Sequence, residues 1–386
     1  MKRVLITAGP VYGPLDANKL VGNRVRGLWA TQFAKYLADR GHQVVMLIPD
    51  TMPDPFGQET TPVAIVRHKG FWDYQEKCGD LSPKVDAAVM AAAVVNWIPA
   101  QPYGGKMPTK GYNEGDIIQI PFVLAPHVID QMKVANPGLT LIGCKMLVNA
   151  PHDELIEAAY GVLIKAKCNA VVANDMGHGL KQKYVVNQDR SVQVYDNDFE
   201  GFYANLLGHI EDVHYSTMRQ HEDVPVESTR RLFDAVIEKH RAGFTPRQDG
   251  AQEVFGSVFV PTMFTDSGLL FQMYAGLLSP REKGQMFTAD EAVALQSLQG
   301  HLLRVVGRTK ATLNAPLLLR VAQKYPSASA ILHQHRQLPD VPTVPYAPPG
   351  TVRDNEREIP GPVFNIEGHG FIACLDDKLE IFGGAP

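Results

Sequence analysis

Two histidines separated by one residue, His333 and His335, have a spacing that suits a metal ion. They follow a short apolar run, which predicts a β-strand. Residues two apart on a strand point to the same face, so both imidazoles can bind one cation, whereas on a helix they would diverge by about 200°. His369 is the candidate third ligand. The same pair also occurs on strands without a metal, so the spacing leaves both interpretations open.

Lys106 and Lys110, in the segment 104–110, are a second set of candidates, which rest on a resemblance to the lysine-rich loop of a known family. An ammonium group on a mobile loop can close over phosphate groups after they bind, which shields their charge and excludes water. Two solvated surface lysines are the alternative interpretation.

The first 27 residues contain the element that must position such groups. Residues 4–7 predict a buried parallel strand that stops at a turn around Gly9. A polar loop follows, then a helix with apolar residues at helical spacing between 29 and 37, and then a strand at 42–49. This unit places the loop at the carboxyl end of the first strand, where open α/β sheets bind nucleotides. The loop has neither a G-x-G-x-x-G motif nor a phosphate-loop motif, so this signal is generic.

Two further segments predict strand ends near the same site. Residues 85–97 are small and apolar, which either lets a ligand approach the backbone or packs a strand tightly under a helix. Asn174 and Asp175 follow an apolar run, where they can accept hydrogen bonds from a ribose or a base, or form a turn.

Over roughly residues 1 to 215 the sequence resembles phosphopantothenate-cysteine ligase, the CTP-dependent enzyme of coenzyme A synthesis. The likeness lies in the opening strand and turn, the Pro-Leu-Asp step at 14–16, the Gly-Asn-Arg turn at 22–24, and the alanine-rich run at 85–97. It implies a Rossmann-like fold, CTP with Mg²⁺, and a small-molecule carboxylate and amine as substrates. Asn23 would steady the acyl-cytidylate, and Lys106 would stabilise the charge that develops as it forms. The residues expected to bind the nucleotide are Gly9, Lys19, Ala92, Asn96, Lys110, Asn174 and Asp175.

Several positions depart from the pattern of that family. Lys19 stands where the family has an arginine, and Pro10 replaces a glycine and removes one N–H donor. Asn96 replaces an acidic residue, and residues 124–127 lack the usual Asn-Pro-Asp step. We therefore expect that the acid and the amine need not be phosphopantothenate and cysteine.

The last third of the sequence is similar to class II aldolases of the fuculose-phosphate type and their adducin-like relatives. The likeness lies in the His-x-His pair after a helix, the segment at 345–351, and His369 before an apolar strand. It implies that His333, His335 and His369 bind Zn²⁺. Counting back 19 residues from His333, where that family has its catalytic glutamate, reaches Asn314, which cannot abstract a proton. Glu367 is either a substitute base or an exposed carboxylate in a turn.

Composition limits the remaining possibilities. A chain of 386 residues with 45% apolar residues predicts two or three domains with real cores. The net charge of -4 argues against nucleic-acid binding, and no apolar segment is long enough to predict a membrane span. Four cysteines without a C-x-x-C pair predict reduced thiols in a cytoplasmic protein. Both resembled families are oligomeric, so we expect a homo-oligomer, a dimer or larger.

A polar, charged stretch near residues 216–228 predicts a domain boundary. We predict a Rossmann-like doubly wound parallel-sheet domain at 1–220 and a class II aldolase-like α/β/α domain at 221–386. The leading hypothesis is a CTP-dependent acid–amine ligase fused to a metal-binding domain. The alternative is a zinc-dependent aldolase, epimerase or decarboxylase whose first domain only binds a nucleotide or a phosphorylated ligand. A third possibility is that one or both domains are non-catalytic.

Overall fold

A computed structural model describes residues 1–57, 61–177, 181–221, 227–244, 254–261, 275–284 and 287–382. The chain forms two compact units. The first comprises Met1–Gln188 and Val194–Glu211, and the second comprises Asp189–Gln193 and Asp212–Pro386. The sequence predicts a domain boundary after residue 220, whereas in the structure the first unit ends at Glu211 and the second continues from Asp212.

Among the described residues up to 211, the elements form an eight-stranded sheet with small accessory ladders and five α-helices. In chain order they are β1 Arg3–Thr7, β2 Pro10–Val11, β3 Gly13–Pro14, β4 Leu20–Val21, α1 Leu28–Ala38, β5 Gln43–Pro49, β6 Val63–His68, α2 Phe71–Leu81, β7 Ala87–Met90, β8 Ala93–Val94, β9 Trp97–Pro99, β10 Phe122–Leu124, α3 Val128–Ala135, β11 Thr140–Leu147, α4 His152–Ala166, β12 Ala170–Asp175, β13 Gln182–Asn187, β14 Val192–Asp196 and α5 Phe199–Glu211.

The strand order of this sheet is that of a doubly wound fold. Six parallel strands lie in the order β6-β5-β1-β7-β11-β12, and β13 returns antiparallel to β12. If these six strands are renumbered 1 to 6 in chain order, their order in the sheet is 3-2-1-4-5-6. This is the strand order of dinucleotide-binding folds that consist of two mononucleotide-binding halves. The order reverses between β1 and β7, which is where such sheets leave a crevice for a ligand.

Alternation along the strands explains the layers of the first unit. Val4 and Ile6 of β1 point to one face, where they pack with Phe33 of α1 and Phe202 of α5 in one buried cluster. On the opposite face, Tyr74 of α2 donates a hydrogen bond of 3.3 Å to Thr7 at the end of β1. Helices therefore cover both faces, and the parallel strands are buried as their apolar sequences require.

The described residues of the second unit form a nine-stranded, mainly antiparallel sheet. Its elements are β15 Ser216–Gln220, α6 Glu227–His240, β16 Ser257–Pro261, β17 Gly276–Leu278, β18 Val293–Gln299, β19 Leu302–Val306, α7 Ala315–Lys324, β20 Ala330–Gln334, β21 Thr343–Val344, α8 Val352–Glu356, β22 Val363–Ile366 and β23 Gly370–Leu375. The order is β15-β19-β18-β17-β16-β20-β23-β22-β21. Among these described strands, only the outermost pair at each edge of the sheet is parallel, and the other pairs are antiparallel.

One helix packs on each face of this sheet. Phe233 of α6 joins the cluster that contains Leu332, and Leu318 of α7 joins the cluster that contains Ile331. Leu332 and Ile331 are neighbours on β20 and point to opposite faces, so β20 lies between two apolar layers. The second unit is a mixed α/β structure with helix, sheet and helix layers. Among the described residues, no helix is long and apolar enough to cross a membrane.

Candidate functional site

The first unit contains a cavity of about 1240 Å³ at the point where the strand order reverses. Four of the residues predicted from the sequence line it: Asn23, Ala92, Asn96 and Asn174. The other site residues predicted for this unit are not among the described residues that line the cavity: Gly9, Lys19, Lys106, Lys110 and Asp175.

Asn23 is held at the cavity by the strand fragment that follows β7. Its side-chain amide donates to the carbonyl oxygens of Ala93 and Val94, at 3.2 and 3.0 Å. These bonds use the Nδ2 hydrogens and leave the Oδ1 acceptor for a ligand. The loop that carries Asn23 also contains short strands, because Pro10–Val11 pairs in parallel with Ala93–Val94. The sequence predicts a continuous polar loop, whereas in the structure this loop is interrupted by short strands and is fixed to residues 93–94 by hydrogen bonds.

A close approach of two glycines shapes the start of α1. Gly27 has a φ of 68°, and a Cβ atom there would lie 2.7 Å from the backbone nitrogen of Gly9. Real Cβ atoms do not tolerate that separation, so glycine is needed at position 27. Gly9 lies outside the cavity lining, so its contribution to the site is indirect. Its backbone packs closely against Gly27 at the start of α1.

The ends of β1 and β7 are tied together beside the cavity. The backbone N–H of Ala92 donates to the Thr7 hydroxyl at 3.1 Å. The predicted strand at 85–97 is in fact three short strands, Ala87–Met90, Ala93–Val94 and Trp97–Pro99. The small residues at the first break face the cavity, consistent with a close approach of ligand to backbone.

Asn174 and Asp175 at the end of β12 have different environments. Asn174 lines the cavity and is buried, and its Oδ1 atom has no hydrogen-bond partner among the described residues. Asp175 accepts from the backbone N–H groups of Asn149, Ala150 and Gly177, at 3.1, 2.8 and 2.6 Å. Asn174 therefore presents an acceptor to a ligand, while Asp175 organises the adjacent turns.

Asp16 organises the lysine loop at residues 104–110. The carboxylate accepts from the Met107 N–H at 3.0 Å and from the Lys19 ammonium at 3.0 Å. The Met107 hydrogen bond is the main cause of an Asp16 pKa well below its usual value, so the group is ionised at neutral pH. Lys19 is thus engaged with Asp16, whereas Lys106 and Lys110 are exposed.

The cationic lining of the cavity was not found from the sequence. Among the described residues, six basic side chains and one carboxylate, Asp130, line it, and Asp130 pairs with Lys165 at 2.9 Å. The basic residues are Arg24, Arg26, Lys145, Lys165, Lys181 and Lys183. A cavity lined mainly by one sign of charge attracts ligands of the opposite sign, here polyanions. The available signal was the pair Lys181 and Lys183, several residues after the predicted strand end at Asn174 and Asp175.

The second unit brings His333, His335 and His369 together. His333 lies on β20, His335 follows its last residue, and His369 directly precedes β23, the antiparallel neighbour of β20. Their ring centroids are 4.6 to 4.9 Å apart, and one ligand atom from each lies within 4.8 Å of the others. Gly370 makes this approach possible, because a Cβ there would overlap the Gln334 carbonyl oxygen.

The protonation state of the histidines suits a metal ion. Burial lowers the pKa of His333 well below its usual value and lowers that of His335 to about 3, so both rings are neutral at pH 7. His333 donates from Nδ1 to the Phe371 carbonyl at 2.8 Å, and its buried Nε2 has no hydrogen-bond partner among the described residues. Such a nitrogen is costly to bury unless something binds it.

Asp189 is a further residue of this cluster that sequence reasoning missed. Its Oδ2 lies 2.9 Å from His369 Nδ1 and accepts from the Tyr346 hydroxyl at 3.1 Å, while Ser191 donates to Oδ1 at 2.6 Å. Burial is the largest effect on its pKa and raises it, but His369, His335 and the Ser191 hydrogen bond together outweigh burial, so the pKa lies well below the usual value. Glu367, in contrast, is exposed in the turn before His369.

Comparison with known proteins links the first half of the chain to one family. The family described as "DNA/pantothenate metabolism flavoprotein C-terminal domain" matches residues 1–201. The coenzyme A biosynthesis bifunctional protein CoaBC of Mycobacterium bovis is 26% identical over 183 residues, 46% of this chain and 43% of that protein. CoaBC of Thermococcus kodakarensis is 27% identical over 175 residues, 45% of this chain and 41% of that protein. The chain thus spans less than half the length of these relatives.

Two solved structures align with parts of this chain. A DNA/pantothenate metabolism flavoprotein from Streptococcus pneumoniae aligns with a TM-score of 0.48 and 18% identity, covering 55% of this chain and 99% of that one. YgbL, a putative aldolase/epimerase/decarboxylase from Escherichia coli, aligns with a TM-score of 0.27 and 14% identity, covering 38% of this chain and 78% of that one.

Proposed function

Because this chain belongs to the family of the DNA/pantothenate metabolism flavoprotein C-terminal domain, matched over residues 1–201, we propose that its first unit is a CTP-dependent acid–amine ligase. The acid and the amine are small molecules that can differ from phosphopantothenate and cysteine. The proposal rests chiefly on one observation, the cation-lined cavity at the strand-order reversal, where Asn23 and Asn174 present acceptors.

The proposed reaction has two steps that share one cavity. A carboxylate oxygen of the acid attacks the α-phosphorus of CTP, the bond from that phosphorus to the bridging oxygen breaks, and pyrophosphate leaves. The amine nitrogen then attacks the acyl carbon, CMP leaves with the bond electrons, and the amine loses a proton to give the amide. Mg²⁺ bound with the nucleotide would neutralise part of the charge of its phosphates.

Each residue has a defined part in this scheme. Asn23 and Asn174 orient the cytidylate through their amide groups, and the small Ala92 lets it approach the backbone. Lys106, on the exposed loop anchored to Asp16, closes over the reacting phosphate and stabilises developing negative charge. Asn96 supplies a neutral hydrogen-bonding group to the ribose, so nucleotide selectivity has to come from the rest of the cavity.

A thermal-shift screen tests this proposal, because a ligand that binds the native state raises its apparent stability. We expect CTP with Mg²⁺ to raise the melting temperature more than ATP, GTP or UTP at equal concentration. An equal rise in melting temperature with all four nucleotides would support a nucleotide site but contradict its selectivity for CTP. The absence of any response would contradict the proposed nucleotide site.

The histidine cluster supports a second candidate function, metal-dependent aldol, epimerase or decarboxylase chemistry in the second unit. Three imidazoles with converging ligand atoms fit Zn²⁺, and the observation that favours it is the buried Nε2 of His333, which has no hydrogen-bond partner among the described residues. Bound zinc would act as a Lewis acid on a carbonyl or carboxylate of the substrate. Asn314 cannot act as the base, and the exposed Glu367 is the remaining carboxylate proposed from the sequence.

The Asp189→Asn variant tests whether this carboxylate supports the metal site. We expect zinc affinity to fall about 10- to 100-fold, because a carboxylate next to the second nitrogen of a ligating histidine fixes its orientation and raises its basicity. Competition with a chelating dye measures the affinity. Glu367→Gln is the matched control, since it removes an exposed carboxylate two residues from His369. Equal affinities in both variants would contradict the role of Asp189.

A further inference from the structure

The cavity of the first unit reaches both faces of the sheet. Trp29 of α1 and Phe199 of α5 line it on one face, and Ile129 of α3 and Val162 of α4 line it on the other, where α3 packs between α2 and α4. Its volume of about 1240 Å³ exceeds the roughly 300–1,000 Å³ that is typical of a pocket for one small ligand. The two faces therefore offer separate places for two substrates.

The nucleotide, as proposed above, occupies the face covered by α1 and α5. Ala170 and Val172 of β12 pack in one buried cluster with residues of these two helices. Asn174, two residues further along the same strand, points to the same face. Because Asn174 is one of the groups assigned to the cytidylate, the face covered by α3 and α4 is left for the other substrate.

Lys145 lies at the floor of that second face. β11 pairs with β7 up to Ile142 and continues beside β12 as far as Leu147, so its last part borders the crevice. A Cβ atom at Gly143 would lie 3.1 Å from the Cδ1 atom of Ile129, so Gly143 faces α3, and Lys145 points the same way. Lys145 is half-buried and lines the cavity, and its ammonium has no hydrogen-bond or ion-pair partner among the described residues.

One face of α4 forms the wall of the groove between α3 and α4. Ala158, Gly161, Val162 and Lys165 line the cavity at the helical spacing i, i+3, i+4 and i+7. Lys165 pairs with Asp130 of α3 at 2.9 Å, so its charge is compensated. Gly161 leaves room, because a Cβ atom there would meet no heavy atom within 4 Å among the described residues. The groove thus has small and apolar walls above the Lys145 ammonium.

We propose that the groove between α3 and α4 binds the acid substrate, and that this acid is a dicarboxylic acid whose second carboxylate is held by Lys145. The inference rests on the proposed ligase function and names the class of its acid. Charge-assisted hydrogen bonds from the ammonium hold the second carboxylate, and the apolar walls contact the carbon chain. A carboxylate matches the single charge of Lys145, whereas a phosphate ester carries a charge of about -1.5 to -2 at pH 7.

Ligand-observed saturation-transfer NMR tests the class of acid on the full chain. We expect glutarate to bind about tenfold more tightly than pentanoate, which has the same chain length but only one carboxylate, as one hydrogen bond between charged groups would give. Lys145→Met should remove this preference, and Lys145→Arg, which keeps the charge, should retain much of it. Lys84→Met is the control, since it removes an exposed lysine outside the cavity lining.

Three results of this titration would overturn the inference. They are the absence of saturable glutarate binding to the wild type, equal affinities for glutarate and pentanoate, and a preference that survives in a folded Lys145→Met variant. Much tighter, Lys145-dependent binding of 3-phosphoglycerate would contradict the dicarboxylic assignment in favour of a phosphorylated acid.

Gly161→Leu tests the location independently. The leucine side chain would fill the groove, and its higher helix propensity should preserve α4. We expect glutarate affinity to fall at least about tenfold, a loss of about one hydrogen bond's worth of binding, while CTP affinity measured by calorimetry stays unchanged. Gly79→Leu is the matched control, because Gly79 is also a helical glycine with open space around it, on α2 and outside the cavity lining.

CTP binding separates this inference from the ligase proposal. If CTP affinity falls in Gly161→Leu and Lys145→Met while glutarate affinity does not, the groove belongs to the nucleotide and the inference is overturned, although the ligase proposal stands. If the wild type does not bind CTP but binds glutarate in a Lys145-dependent manner, the acid subsite stands and the CTP proposal fails.

Discussion

Purified wild-type protein is expected to contain about one zinc ion per chain, and the double variant His333→Ala, His335→Ala is expected to contain none. The three ligand atoms lie within 4.8 Å of one another, and removing two of three imidazoles leaves too few ligands for a structural or catalytic site. Metal analysis of protein prepared without chelators measures the content. Chelation of the wild type should lower its melting temperature, because the metal stabilises only the folded site.

The exposed His301 provides a matched control for the double variant. His301→Ala removes an imidazole from the same unit but away from the cluster, so zinc content should remain that of the wild type. Circular dichroism of the double variant confirms that it remains folded. Wild-type protein without stoichiometric zinc, or a folded double variant that retains it, would contradict the metal site.

Lys106→Ala is expected to reduce pyrophosphate release from CTP by about 10²- to 10³-fold, the usual effect of losing one group that stabilises transition-state charge. The structure motivates a mobile role, because Lys106 is exposed while its neighbour Met107 is anchored to Asp16 at 3.0 Å. The assay uses wild type with phosphopantothenate as the first acid and then other small carboxylates. CTP affinity should change much less than the rate, since the loop closes after binding.

Two controls define what Lys106 does. Lys84→Ala removes an exposed lysine of the same unit and should leave the rate unchanged. Lys106→Arg keeps the charge and should recover part of the rate. An unchanged rate in Lys106→Ala would rule out this lysine as the group that covers the reacting phosphate.

Local patterns were enough to predict the elements that carry the sites. The apolar residues between 29 and 37 predicted α1, which spans Leu28–Ala38, and the apolar run before His333 predicted the strand Ala330–Gln334. The helix predicted before that strand begins at Ala315. These features follow from side-chain periods of 3.6 and 2, which depend only on neighbouring residues. The mixed α/β fold class was therefore accessible from the sequence, and the family of the first half was accessible from the resemblance of its motifs.

Partners far apart in the sequence were decided by the tertiary structure. His369 lies 2.9 Å from Asp189, 180 positions away in the sequence, and Asp16 accepts a hydrogen bond from the N–H of Met107, 91 positions away. Neither juxtaposition leaves a periodic signal, because strand order and register are set by the packing of whole layers. The same packing places Lys106 outside the cavity lining and engages Asp175 in the backbone of its own turns. The sequence determined which residues can do chemistry, and the pairing of distant strands determined which of them act together.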